Sequence, residues 1–456
     1  MSAFGSTRSA PSWTTGRDRR RPIDCNLYYS SSVEGEIAKV MGVAHYSYRF
    51  AEAKFTATLR ERGLVPHKLV MPEFYASVEA LPKGAHEHGL TDIHLIFRST
   101  EQFRLLKFAR NVCCFAWEFD VLKDCTFEGE HPFLNQRRML GLCDEIWVPC
   151  SYTRSILRSY GLENVHAIPA PITVDERTRP PLSECLSLVG HCVVAPLHYN
   201  AFLPHEQMKR EIAGKSATLA KYLSKRIRGG QNPRIYLSVL NPEDFRKNLD
   251  ALLRGFYYFS QERNDALLLI KVLTSSSRYD LRDIVADVVP NKLDAGSGME
   301  SANILFFSEF LDDDAMDYLY SMADFYLCTS LCEGQNLPLL EAMARGVVPV
   351  STANTAMGDY LNADNAIVIE DRLVPNDIPH LAATATGKPF SIRRSTPRDV
   401  CVALNASAGL TKEMYAQMSA RSRDAVRLRF SPDTVWPLIE RRLQALATPS
   451  GATLTT

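Results

Sequence analysis

The sequence predicts an α/β protein made of two Rossmann-like domains, each built on a parallel sheet. Two observations carry that reading. Short apolar runs alternate with segments of helical spacing from Asp24 onward, and the same alternation starts again at Arg234. Alternation of this kind places helices on both faces of a parallel sheet. Length agrees, because 456 residues suffice for two or three domains with full cores.

Composition excludes several classes. The chain is 46% apolar and 23% charged, with a formal net charge of zero, so no global charge draws it to nucleic acid. No apolar run approaches the ~18 residues of a membrane helix. The arginine-bearing N-terminus lacks an apolar core and does not read as a signal peptide. Eleven cysteines are scattered without a Cys-x2-Cys pair, and Cys113, Cys114 and Cys328 lie in apolar runs. Reduced thiols and a cytoplasmic location are expected.

In order, residues 1–22 form a basic tail with little to bury, expected to be disordered. The first domain is assigned to residues 23–200. Its strands are expected at Cys25–Tyr29, His67–Met71, Ile93–Phe97, Val112–Ala116, Glu145–Val148 and Val165–Ile168. A long amphipathic helix from Ile37 stops at Gly63, and further helices fit Gln102–Ala109, Pro132–Leu142 and Tyr152–Tyr160. Residues 201–232 read as a basic helical linker or insertion. Lys209, Arg210, Lys215, Lys221, Lys225, Arg226 and Arg228 make its 205–228 segment a candidate for peripheral contact with a membrane surface.

The second domain is assigned to residues 233–430. Strands Ile235–Leu240, Ala266–Val272, Ile304–Phe307 and Asp324–Thr329 alternate with helices, the first with a face of Leu249, Leu252, Leu253, Phe256 and Phe259. Helices at Tyr415–Leu428 and Val435–Leu446 close the chain, the latter within residues 431–447, and residues 448–456 are a tail.

Chemistry concentrates in Leu331–Thr352, LCEGQNLPLLEAMARGVVPVST. Asn336 can cap a helix that tolerates Pro338 in its first turn and stops at Gly346 before an apolar strand. Glu333 and Glu341 flank the helix start. Free N–H groups there suit phosphate, and acceptor-only carboxylates suit hydroxyls. An anion and several hydroxyls held close together describe a nucleotide-sugar. A second cluster, Arg246-Lys247-Asn248-Leu249, sets two cations at a helix start after a strand, where a diphosphate is expected.

The stretch Glu-x7-Glu followed by Ala-Met-Ala-x-Gly-x-x-Pro-Val is similar to the signature of family-4 glycosyltransferases, which are retaining and have the GT-B fold. Trp117-Glu118, Asp144 to Ser151, Gly161 and Ile168-Pro169-Ala170-Pro171 resemble the N-terminal half of bacterial members. The resemblance implies two sheets facing a central cleft, a terminal helix crossing back to the first domain, and no cofactor or metal beyond the nucleotide-diphosphate sugar donor. By resemblance Glu341 binds the ribose and Glu333 the transferred sugar. Gln335, Asn336 and Leu337 offer backbone N–H groups, and Arg246 and Lys247 hold the diphosphate. The first domain normally carries the acceptor site and a supporting histidine, for which His94 is the candidate. Glu118 is a further candidate facing the cleft. The sequence departs from the family at Leu240-Asn241, where Gly-Arg is usual, and at Gln335-Asn336, where Phe-Gly is usual.

The implied activity is sugar transfer to an acceptor hydroxyl, of a glycan or another molecule, with retention, in polysaccharide or glycoconjugate synthesis. The alternatives are a catalytically silent scaffold for another transferase and a sugar-nucleotide epimerase. Asp312-Asp313-Asp314 reads as a helix cap rather than a metal motif. His205-Glu206 lacks a second histidine at Lys209, His86 and His88 have no ligand-spaced partners, and no Gly-x-Gly-x-x-Gly or P-loop occurs.

Overall fold

The computed structural model describes residues 23–31, 47–124, 131–174, 179–230, 233–263, 265–274, 280–292, 298–376 and 390–448. The basic tail, most of the C-terminal tail and the first part of the long helix from Ile37 lie outside these. The described part of that helix is Ser47–Glu61, and Gly63 follows it with φ of 82°.

The first sheet contains β1 (Cys25–Ser31), β2 (His67–Lys68), β3 (Thr91–Phe97), β4 (Arg110–Cys114), β5 (Glu145–Val148) and β6 (Val165–Ala167). Its order is β2-β1-β3-β4-β5-β6, parallel throughout. The second sheet contains β7 (Val193–Asn200), β8 (Ala217–Thr218), β9 (Arg234–Leu240), β10 (Ala266–Val272), β11 (Gly298–Phe307), β12 (Phe325–Cys328), β13 (Val348–Ser351) and β14 (Ile367–Val368). Its order is β14-β13-β12-β9-β10-β11-β7-β8. From β14 to β11 the pairs are parallel, whereas β7 runs antiparallel to β11 and β8 antiparallel to β7. The chain lays down β7 and β8 at one edge of this sheet, then starts the parallel part in the middle, at β9, and builds outward first to β11 and then to β14. The order reverses between β9 and β12, and a parallel sheet opens a crevice for ligands at such a point.

This topology corrects the expected boundaries. Strand β7 lies within residues 23–200, expected of the first domain, yet it pairs with β11, so the second domain begins before it. Nor is the 201–232 segment a linker. Helices His205–Lys215 and Leu219–Arg228 bury Met208, Ile212, Leu219 and Leu223 against the second domain. Lys209 pairs with Asp283, and Lys215 Nζ lies 2.6 Å from Glu300 Oε1. The membrane contact expected of this segment finds no support in that packing.

Two expected helices are also revised. Gln102–Ala109 is a loop after a single turn at Thr100–Gln102. Asn111 holds it open: its Oδ1 accepts from Leu106 N–H at 3.0 Å, and its Nδ2 donates to the carbonyls of Leu106 and Ala109, both at 2.9 Å. A side-chain amide that bonds local backbone in this way competes with the helical ladder. Pro132–Leu142 divides into a turn at Pro132–Leu134 and a short helix at Gln136–Leu140 capped by Asn135.

The terminal helix Pro432–Ala447 does cross back. Val435, Trp436, Ile439 and Leu443 pack with Leu59, Leu95 and Trp147 of the first domain. Arg442 pairs with Glu145, and Thr91 Oγ1 donates to the Ala447 carbonyl at 3.0 Å.

Candidate functional site

The loops that follow β9 and β12, the strands on either side of the reversal, carry the candidate donor residues. They are tied to each other. The Leu331 N–H donates to the Arg246 carbonyl at 2.7 Å, and Thr329 Oγ1 donates to the Lys247 carbonyl at 2.8 Å. Asn248 enters the left-handed region, with φ of 50°, between the Phe245–Lys247 turn and helix Leu249–Gln261. Its side chain donates to the Ser395 carbonyl at 3.0 Å. Asparagine tolerates that backbone better than most residues, and the kink there fixes where the two cations project.

Lys247 Nζ lies 2.6 Å from Glu333 Oε1, which also accepts from Ser330 Oγ at 2.7 Å. Glu333 is buried, and its N–H donates to Thr355 Oγ1 at 2.8 Å. Arg246 donates to Asp244 through Nε at 3.0 Å and Nη2 at 2.7 Å, and through Nη1 to Glu118 of the first domain. The expected diphosphate cations and sugar carboxylate are therefore one connected cluster. It draws in Asp244, Ser330 and Thr355, which the sequence reading missed. Asp244 could have been suspected as a turn cap two residues before Arg246.

Burial and charge act against each other here. Burial alone would lower the pKa of Arg246, but Glu118, Asp244 and Glu333 outweigh it and raise it well above the usual value. Lys247 is likewise raised, with Glu333 and Asp244 overcoming burial. Asp244 is lowered because Arg246 and Lys247 more than offset its burial. Glu118 goes the other way. Burial raises its pKa, and the pull of Arg246 does not restore it. Burial is the largest influence on Glu118, and Asp244 and Glu333 add repulsion, whereas Asp244 also accepts hydrogen bonds from the Arg246 backbone and guanidinium.

Helix Leu337–Ala344 follows directly. Asn336, at φ of 64°, is its cap, with Oδ1 accepting from Leu339 N–H at 3.4 Å. Gln335 faces the first domain: its Oε1 accepts from Ala170 N–H at 3.1 Å and its Nε2 donates to the Ala170 carbonyl at 2.9 Å. The departure from Phe-Gly thus places an amide where it bridges the two domains. Glu341 accepts from Tyr320 Oη at 3.0 Å and pairs with Lys54 Nζ of the first domain at 2.7 Å. Asp359 accepts from the Ser151 N–H at 2.7 Å and from its hydroxyl. Together these contacts draw the cleft closed.

His94 does not join the cluster. It lies mid-strand in β3, fully buried, with Nε2 2.9 Å from Ser30 Oγ and Nδ1 3.2 Å from Asn111 Oδ1. Burial lowers its pKa to about 4. It is a structural histidine of the first core. Asp312 caps helix Asp313–Met322, as expected, accepting from Ala315 N–H at 2.9 Å. Among the described residues, no group of three or more His, Cys, Asp or Glu side chains is arranged to hold a metal, and no helix is long and apolar enough to cross a membrane.

Residues 265–378, which include Glu333 and Glu341, match the model of a family described as glycosyl transferases group 1. No curated protein matches by sequence. Among solved structures the chain is similar to sucrose-phosphate synthase from Thermosynechococcus elongatus, at 14% identity and a TM-score of 0.55, over 92% of this chain and 99% of that one. An E. coli trehalose-6-phosphate structure bound with UDP-2-fluoro glucose is similar at 11% identity and a TM-score of 0.51, over 92% and 98%. A TarM variant from S. aureus in complex with UDP is similar over 78% of this chain at 12% identity and a TM-score of 0.46, and this chain spans 55% of its length. The first two likenesses establish the fold, which is GT-B.

Proposed function

We propose that the protein transfers a sugar from a nucleoside diphosphate sugar to an acceptor hydroxyl. The observation that carries this reading is the joining of Arg246, Lys247 and Glu333 at the reversal of the second sheet, within a fold whose matched segment is that of glycosyl transferases group 1. The bond between the anomeric carbon and the β-phosphate oxygen breaks, and its electron pair leaves with the diphosphate. Arg246 and Lys247 stabilise the charge that grows there. The acceptor oxygen bonds the anomeric carbon and gives up its proton. Attack from the face the diphosphate leaves lets a departing phosphate oxygen take that proton, with retention of configuration. Glu333 orients the transferred sugar, and Glu341 holds the ribose. Once Arg246 and Lys247 face the diphosphate, they and the helix start supply the positive charge a metal would otherwise bring. A lowered barrier to wasteful hydrolysis is avoided by closing the two domains over the cleft.

The silent-scaffold reading has one observation on its side: both cations are already paired with carboxylates. Incubation with UDP-, GDP- and ADP-sugars, with and without glycan acceptors, separates the two. UDP-glucose is the first to try, since a similar fold holds its fluoro analogue. Acceptor-dependent release of nucleoside diphosphate is expected, and Glu333→Gln should abolish most of it. Binding of a nucleotide-sugar without turnover under any acceptor would favour the scaffold.

A further inference from the structure

The cation expected to take the donor's diphosphate is held by a carboxylate from the opposite domain. Arg246 Nη1 donates to Glu118 Oε1. Glu118 follows β4 of the first sheet, and its Oε2 would sit 3.6 Å from a Cβ at Gly334. The absence of a side chain at Gly334 lets Ala116–Glu118 lie against the loop that carries Glu333.

Charge counting shows what this arrangement demands. Arg246 and Lys247 contribute two positive charges; Glu118, Asp244 and Glu333 contribute three negative ones. The cluster therefore carries a net charge of −1 with all groups ionised. A diphosphate entering it would meet repulsion rather than attraction. Removing Glu118 alone brings the count to two against two and frees the outer edge of Arg246. Asp244 cannot be the group that leaves, because it accepts from the backbone N–H of Arg246 at 3.0 Å as well as from its guanidinium. Glu333 is held within the same domain by Lys247 and Ser330. Glu118 alone of the three comes from the first domain, so it is the carboxylate that a domain movement can withdraw.

We propose that Glu118 is an internal stand-in for the donor's phosphate, occupying Arg246 until a nucleoside diphosphate displaces it. The exchange couples donor entry to opening of the cleft. Other cross-domain contacts, among them Ser151 with Asp359, Gln335 with Ala170 and Lys54 with Glu341, do not touch Arg246 or Lys247. They part with the Glu118 pair as the cleft opens and can re-form once the donor's phosphate has taken the place of Glu118. This inference rests on the glycosyl-transfer reading of the site.

The test is calorimetric titration of UDP, GDP and ADP into the wild-type chain, Glu118→Gln and Arg246→Ala, with melting temperatures recorded for each. If Glu118 competes with phosphate, Glu118→Gln binds the preferred diphosphate at least about tenfold more tightly, because more of the free protein is competent to bind. Glu118→Asp, which shortens the reach by one methylene, should shift affinity in the same direction by less, and it serves if the glutamine variant does not fold. Equal or weaker binding by Glu118→Gln, with clear wild-type binding, overturns the proposal and makes Glu118 a contact that assists donor binding. Failure of every form to bind any of the three nucleotides removes the nucleotide-sugar reading and this inference with it.

Discussion

Lys247 and Glu333 meet at 2.6 Å across the loops that follow two non-consecutive strands, β9 and β12. The contact makes the cation proposed for the diphosphate and the carboxylate proposed for the sugar parts of one device. Changing the position of one changes the other. Lys247→Ala would leave the buried Glu333 carboxylate with Ser330 as its remaining side-chain donor, costing about 1–3 kcal/mol of stability. Urea unfolding of the variant beside the wild type measures that loss, and an unchanged midpoint would show that the pair contributes nothing.

The two glutamates should separate kinetically. Glu341 is assigned to the ribose, which does not change during reaction, so Glu341→Gln should raise the donor KM and leave kcat nearly intact. Glu333 is assigned to the transferred sugar, whose anomeric carbon gains positive charge. Glu333→Gln should lower kcat by about 10²-fold or more, at roughly 1.4 kcal/mol per factor of ten. Glutamine can still accept from Lys247, so the fold should survive. Equal effects of both variants on kcat would remove the division of roles.

His94 predicts an acid limb in stability. Its folded pKa is lowered to about 4 by burial, against the ordinary 6.5. The unfolded chain therefore takes up a proton first as the pH falls. The stability due to neutral His94 is fully present above pH 6.5 and is lost as the pH falls through about 4. The full span is worth roughly 3 kcal/mol. Unfolding free energies at pH 7 and pH 5 should differ less in His94→Gln than in the wild type. Equal differences would mean that the ring is not held neutral.

Lys271 gives the complementary case at high pH. It is buried in β10 beside the Phe307 ring, with its pKa lowered to about 8 by burial despite Glu309. Below pH 8 both folded and unfolded chains carry its proton. Between about 8 and 10.5 only the unfolded chain does, so this residue adds stability as the pH rises. Lys271→Met removes the buried charge and should stabilise the protein at pH 7, by roughly 2–3 kcal/mol. Thermal melting across that pH range checks both the gain and the flattened slope.

Much of this was legible in the chain, and the misses have physical causes. Strands Glu145–Val148 and Ala266–Val272 carry enough consecutive apolar residues to be read to the residue. Strand β7 does not: Pro196 interrupts its run, and it pairs at the place where the register with β11 shifts, opposite Leu305. The Gln102–Ala109 loop looks helical until Asn111, which lies beyond the expected helix, is seen bonding into it. Within the site, Arg246, Lys247 and Glu333 were visible as residue types beside helix starts. The Glu118–Arg246 pair was not, because it forms only when the two sheets face each other. A carboxylate just after a parallel strand was the sole hint.

The central claim is that Arg246 and Lys247 hold a diphosphate, and calorimetry on the Arg246→Ala/Lys247→Ala double variant tests it most directly. Binding of the preferred nucleoside diphosphate should fall steeply, since each charge-assisted contact is worth roughly 1.5–3 kcal/mol. Binding of the free nucleoside should change little, and a chelator should leave wild-type binding intact. A double variant that binds the diphosphate as the wild type does, with chelator abolishing both, would contradict the account.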